Sequence, residues 1–209
     1  MRMTKKLTTA LIVLMLGVLP GAIAIVRAQA PGGPREGIVV HGHWTIDVRE
    51  PDGRLVSHRE FENALTPSGG TILRQFLIRS LTPGAWNVTL TDSTGGGICD
   101  VHGCQLVEPG QQPLQAGDQS FANLRVTVAG TGVGVDLGGT ATANASASIA
   151  HVETGLRYCA ATLSPQFCAD PANLASEIGR VPFSGTDLPQ PIAVVAGQIV
   201  QVTVTLTFS

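Results

Sequence analysis

The last eleven residues constrain the fold most. From Ile199 to Ser209, Val200, Val202, Val204, Leu206 and Phe208 alternate with Gln201, Thr203, Thr205, Thr207 and Ser209. A period of two puts successive side chains on opposite sides of an extended chain, so this segment reads as a strand with one dry face and one wet face. Such a strand is stable only in a sheet whose dry face is covered by a second layer. The pattern recurs upstream. Ile38 to Glu50 and Leu55 to Asn63 flank Pro51-Asp52-Gly53-Arg54, and Asp-Gly is a strong hairpin signal. With Asp52 and Gly53 as the turn, Trp44 falls opposite Phe61, an aromatic cross-strand pair on the face carrying Ile46 and Val48. The other face carries His41, His43, Asp47, His58, Glu60 and Glu62.

Between these ends the sequence predicts one helix, over about residues 67–80. Thr66-Pro67-Ser68 is a helix entry, Ile72, Leu73, Phe76, Leu77 and Ser80 form one stripe, and Pro83-Gly84 ends it. Trp86, Val88 and Leu90 then alternate with polar residues as a strand, and the alternation favours the core for both Trp44 and Trp86. Thr94 to Gln119 reads as a long loop, a length that usually signals function or mobility. Phe121 to Gly130 is a strand followed by a Gly-rich turn through Gly139. Thr140 to Ser148 alternates, with Ala141, Ala143, Ala145 and Ala147 on one face. Ala150 to Thr162 continues the sheet across a turn at Thr154-Gly155, Ser164 to Gly179 is a loop, and Val181 to Phe183 and Ile192 to Val195 are short strands around a Pro-rich turn. About eight to ten short strands separated by turn signals make a mainly β fold. The expected form is a β-sandwich or jelly roll of antiparallel sheets with one short helix.

Ahead of this domain, Met1 to Lys6 carries Arg2, Lys5 and Lys6, and an apolar run follows from Leu7 to Val26. A basic head, an apolar middle and small residues at Ala28 and Ala30 are the layout of a signal peptide spanning residues 1–30, with cleavage near 24–30. The apolar run is long enough to cross a bilayer if left uncut, so an anchor is the alternative. Residues 31–37 are a Pro/Gly-rich tether, and 38–209 form a single β-rich domain. The expected location is therefore secreted, periplasmic or cell-surface. Beyond residue 30 the chain contains no lysine, and its net charge is −6 with His neutral. A nucleic-acid partner is not expected, since binding phosphate needs clustered cations. A membrane partner beyond the leader is likewise not expected, because no basic amphipathic helix occurs. The four cysteines read as two disulfides rather than a metal or redox site. Cys99–Cys104 and Cys159–Cys168 are the favoured pairs, each bracketing a short segment with Gly or Pro. Their spacing is not the C-x₂-C usual for structural zinc.

Enzyme-like chemistry is sparse. His41 and His43, two apart on one strand, present both imidazoles on one face, where His58 and a carboxylate from Asp47, Glu60 or Glu62 would complete a metal site. The plainer reading of the same face is charge pairing, Asp47 with His58 and His43 with Glu62. His102 and His151 are isolated. No G-x-S-x-G elbow occurs, and Gly95-Gly96-Gly97 lacks the Lys-Ser/Thr of a phosphate loop. Asp92, Asp100, Asp118 and Asp136 lie in or near Gly-rich loops where calcium is conceivable, without EF-hand spacing. Asn87-Val88-Thr89 and Asn144-Ala145-Ser146 fit the glycosylation pattern.

Glu62-Asn63-Ala64-Leu65-Thr66, Gly69-Gly70, the Ile72 to Leu77 helix and the Trp86 to Leu90 strand resemble the opening of phage tail-associated β-structural proteins. Phe183-Ser184-Gly185-Thr186-Asp187-Leu188-Pro189, followed by Val194 to Gln198 and the terminal strand, resembles their closing segment. The C-terminus is also similar to that of chaperone–usher pilins, with the penultimate aromatic Phe208 and the upstream Gly197. These resemblances imply a β-fold used on an exported surface protein, and they assign no catalytic residue. The expected role is a non-catalytic, structural or adhesive domain of a cell surface or extracellular assembly. Its expected working surfaces are the loop around Cys99–Cys104 for recognition and the strand Ile199 to Ser209 for binding a protein partner or another copy. The alternatives are a metal-binding protein or metal-dependent enzyme using His41, His43 and His58, and a carbohydrate-binding module. An aromatic content of only 4% weighs against the latter.

Overall fold

The Asp52-Gly53 turn builds the first hairpin. Gly53 takes a φ of +89°, a left-handed value that favours glycine, and the Asp52 carboxylate accepts the Arg54 N–H. Strands β1 (Val40–Arg49) and β2 (Leu55–Ala64) run on either side of a Pro51–Gly53 loop closed by the Glu50 N–H on the Arg54 carbonyl, and a one-residue register shift at Val48/Arg49 brings Trp44 opposite Phe61 as expected. The two rings stack with centroids 5.9 Å apart, and Trp44, Ile46 and Val48 are fully buried. This computed structural model describes residues 38–111, 119–130, 132–170, 172–173 and 177–209. The expected signal peptide and tether, residues 1–37, lie outside the described residues.

After the hairpin come α1 (Pro67–Leu77), β3 (Leu81–Thr91), β4 (Cys104–Val107), β5 (Ser120–Phe121), β6 (Arg125–Val128), β7 (Gly134–Thr142), β8 (Ala147–Ala160), α2 (Pro165–Ala169), β9 (Glu177–Val194) and β10 (Ile199–Phe208). They form two five-stranded sheets, ordered β2-β1-β10-β7-β6 and β5-β4-β3-β8-β9. Neighbours are antiparallel except β4 and β5, which are parallel. The inner faces share one core, in which Ile46, Val202 and Val204 of the first sheet join Val88, Leu90, Leu106 and Val152 of the second. The fold is a mainly β, sandwich-like one. β10 lies inside its sheet, hydrogen-bonded to β1 on one side and β7 on the other.

Thr66 caps α1, its hydroxyl accepting the Gly69 N–H, and Pro67 occupies the first turn. The helix stops at Leu77 rather than near Ser80, and Arg79 follows at a φ of 59°. Pro83-Gly84, expected to end the helix, instead lies within β3. Ile72 is buried and Leu73 and Phe76 pack on the core, while Leu77 faces solvent. α1 approaches β9 closely at Gly69, where a β-carbon would overlap the Phe183 carbonyl.

Several segments rich in glycine or alanine, and others expected to be loop or turn, adopt other structure. The Gly-rich segment expected to be a turn through Gly139 is largely strand β7. At Gly134 a β-carbon would overlap the Leu206 carbonyl, and at Gly139 it would crowd Leu106, so glycine here serves close packing. The expected single strand from Phe121 to Gly130 is two, β5 and β6, broken at Ala122 to Leu124. The alternating Ala tract is two strand ends around a turn, which the Asn144 amide fastens by donating to the Cys99 carbonyl. Ala141 and Ala143 are buried, whereas Ala145 is exposed. No turn occurs at Thr154-Gly155: β8 continues through it with a register shift against β9, and Gly155 leaves room for the Asn87 amide. β4, buried on both faces, and α2, capped by Ser164, lie in segments expected to be loop. The Pro-rich turn is part of one long edge strand, β9.

The cysteines pair as the spacing suggested, Cys99 with Cys104 and Cys159 with Cys168. The second ties α2 to β8, and both its sulfurs belong to fully buried residues. Replacing both Cys159 and Cys168 by Ser is expected to lower stability by about 2.5 kcal/mol, the chain-entropy value for so short a loop. Trp44→Ala should cost ~3–5 kcal/mol through the cavity it leaves. Thr203→Ala, on the exposed face of β10, should stay within about 0.5 kcal/mol. Urea unfolding of the oxidised protein measures all three, and equal losses for Trp44→Ala and Thr203→Ala would contradict the assigned faces.

Candidate functional site

The flank where β2 and β9 are the edge strands carries the candidate site. β9 pairs with β8 through His151–Asp187 and again at Ile149–Ile192. Between these points four residues of β9, Leu188 to Pro191, stand opposite the single residue Ala150. Pro189 and Pro191 have no N–H to give the ladder, so the strand is forced outward as a bulge. Two anchors hold it. Leu188 is buried in the core, and the Asp187 carboxylate meets His151 Nδ1 at 2.7 Å.

A cleft opens on each side of this bulge. One, of about 370 Å³, lies between the bulge and β2 and is lined by Arg59, Glu60, Phe61 and Glu62 against Thr186 to Gln190. Its floor is firm because Phe61 stacks on the buried Trp44. The other, of about 670 Å³, lies between the bulge and the Thr91 to Gly95 loop, with Ala150 and His151 at its base. Asp187, Leu188 and Pro189 line both. The loop is shaped by Asp92, whose Oδ1 accepts the Thr94 and Gly96 N–H groups and the Thr94 hydroxyl. These bonds, led by the Thr94 hydroxyl, hold the Asp92 carboxyl below the usual carboxylate range. Beside His151, Glu153 is pushed up by burial, with His151 acting in the opposite direction from 4.0 Å.

The sequence-derived candidates are only partly brought together. On the outer face of the first sheet, His58 Nδ1 lies 2.7 Å from Asp47 Oδ1 and its Nε2 3.4 Å from Glu60. Asp47 also meets Arg49 at 2.6 Å. His43 stands opposite Glu62 and His41 opposite Ala64, both exposed. The strand register thus puts His58 across from Asp47, four residues and about 13 Å along β1 from His43. Among the described residues no group of three His, Cys, Asp or Glu side chains is placed to hold a metal ion. Of the aspartates considered for calcium, Asp92 and Asp100 accept loop N–H groups, Asp136 accepts the Thr205 hydroxyl, and Asp118 lies outside the described residues. Asn87 of the first glycosylation sequence is buried.

His151, which looks isolated in the sequence, is the histidine the fold places beside a cleft. Its partner Asp187 is 36 residues away, and only the β8–β9 register joins them. The signal open to sequence reading was the Pro-x-Pro of Pro189 and Pro191, a mark of a distorted edge strand. Compared with known proteins, the chain matches no family model, no curated protein and no solved structure.

The His58–Asp47 pair makes a pH-dependent contribution. The Asp47 hydrogen bond raises the His58 pKa above its ordinary 6.5, against a smaller opposing effect of burial. The His58 hydrogen bond in turn lowers Asp47 below 3.8. The stabilisation is therefore complete below the unfolded His value and is lost as pH rises through the raised folded one; at the acid end it is lost as pH falls through the lowered Asp47 value. In an NMR titration, His58 is expected to titrate above 6.5 and to move back toward it in Asp47→Asn. An unchanged midpoint in that variant would remove Asp47 as the cause.

Proposed function

We propose that this chain is an exported, non-catalytic recognition domain with a structural or adhesive role at a cell surface or in an extracellular assembly. The observation that carries this reading is the proline-braced Leu188 to Pro191 bulge, which projects from a packed sheet with a cleft on each side. Recognition surfaces of this kind are loops or bulges positioned by a rigid scaffold. The two disulfides fit an oxidising extracellular environment. No described helix is long and apolar enough to cross a membrane.

Two expected working surfaces take different roles in this reading. The Cys99–Cys104 loop is fastened at its base, with Ile98 and both cysteines buried and the Ile98 carbonyl accepting the Asn144 N–H. The terminal strand, paired on both sides, offers no free edge, so the protein or self-contact is assigned to the β2–β9 flank instead. The metal-dependent alternative gains no support from a register that holds His58 away from His41 and His43. The carbohydrate alternative has Phe61 as the one Phe, Trp or Tyr ring lining the two clefts.

The test is cell adhesion to the secreted protein, immobilised with its disulfides intact. Pro189→Arg/Gln190→Arg, at two exposed positions of the bulge, is expected to reduce adhesion about tenfold without changing the melting temperature. Wild-type protein that holds no cells, or a variant that holds them equally well, would overturn the reading.

A further inference from the structure

We propose that the cleft between β2 and the β9 bulge is a strand-addition site for an extended, cationic peptide segment of a partner protein. The proposal rests on the recognition reading above and names the chemistry of the partner.

The two edges that border the cleft differ. β9 carries Pro182, Pro189 and Pro191, and proline guards an edge against further pairing. β2 is ten residues long and has no proline. Among the described residues it is hydrogen-bonded along its length to β1, and it approaches β9 at its C-terminal end, where the Asn63 amide donates to the Ser184 hydroxyl and the following Leu65 bridges to Ser184. From that bridge the two edges separate and leave the cleft between Arg59 to Glu62 on one side and the bulge on the other. An edge strand turns alternate N–H and C=O groups outward, and an incoming extended segment satisfies them.

The side chains state what that segment carries. Glu60 and Glu62 are exposed, about 6.6 Å apart on the outer face, and Asp187 lies across the cleft. Between them Phe61 faces inward beside Leu188, forming an apolar floor. Arg59, the cation of this lining, turns its guanidinium back onto the His58 carbonyl at 3.0 Å. Residues directly opposite on a paired strand share a face, so the complementary pattern is cation, apolar, cation. A second copy fits poorly. A two-fold antiparallel pairing of β2 with itself through the cleft-lining residues sets Glu60 against Glu60, Arg59 against Arg59, or Glu60 against Glu62, according to register. Like charges directly opposite are destabilising.

The probe is a labelled Lys-Val-Lys-Val-Lys-Val peptide, end-capped and titrated into the oxidised secreted protein by fluorescence anisotropy. Saturable binding, at least about tenfold tighter than for Glu-Val-Glu-Val-Glu-Val, is expected, together with slowed amide exchange along β2. Glu60→Arg/Glu62→Arg should weaken it about tenfold. N-methylation of alternate peptide amides, which needs no change in the protein, should abolish it. Equal binding of the acidic or the N-methylated peptide, exchange protection elsewhere, or no saturable binding would each overturn the proposal. Cell adhesion separates the two levels: adhesion retained in Glu60→Arg/Glu62→Arg but lost in Pro189→Arg/Gln190→Arg overturns the strand-addition site and leaves the recognition reading standing.

Discussion

The first and last strands of the described domain lie side by side, and the rest of the sandwich is arranged around that contact. β1 and β10 pair over ten residues, from Val40–Phe208 to Arg49–Ile199. Their inner faces contribute Trp44, Ile46, Val48, Val200, Val202, Val204 and Leu206, all fully buried. β2 joins one side of this pair and β7 the other, so the first sheet grows outward from its middle. The second sheet is built from the chain in between and closes over the same apolar surface. Bringing such distant segments together carries a loop-closure cost that neither disulfide relieves, since both span short loops. Long-range pairing of this kind also makes for slow folding.

Much of this was legible because it depends on neighbours in sequence. Asp52-Gly53 marks the β1–β2 hairpin, and although its loop takes in Pro51 as well, a one-residue register shift at Val48/Arg49 restores the Trp44–Phe61 stack and the Asp47–His58 contact. Thr66-Pro67 starts a helix by local capping. The short spacings of the cysteines match the pairs that form. What escaped sequence reading depends on partners far along the chain. Gly134 and Gly139 belong in a strand because Leu206 and Leu106 press against them, and Gly155 because Asn87 does. β4 has only four residues and is buried on both faces, so it shows no alternation to detect. The turn at Ala143 to Ser146 is fixed by Ile98 and Cys99, more than forty residues earlier.

The candidate site follows the same division. The polar face of the hairpin was visible from its period of two, yet which histidine meets which carboxylate depends on register, and register separates His58 from His41 and His43. His151 and Asp187 come together only through β8–β9 pairing, beside a bulge that two prolines impose. The cleft next to Phe61 exists because β2 and β9, edges of different sheets, come together at Asn63–Ser184 and the adjoining Leu65–Ser184 bridge and then part.

Local chemistry therefore sufficed to specify strands with one wet and one dry face, their first turn, one helix entry and an oxidised pair of small loops. Alternation, turn residues and caps act over a few positions and leave their mark in the sequence. The order of strands, the burial of β10 in mid-sheet, the free edge of β2 and the clefts beside the β9 bulge needed the folded chain. Those features arise from contacts between residues far apart, where packing space and backbone hydrogen bonding, not local preference, select the partner.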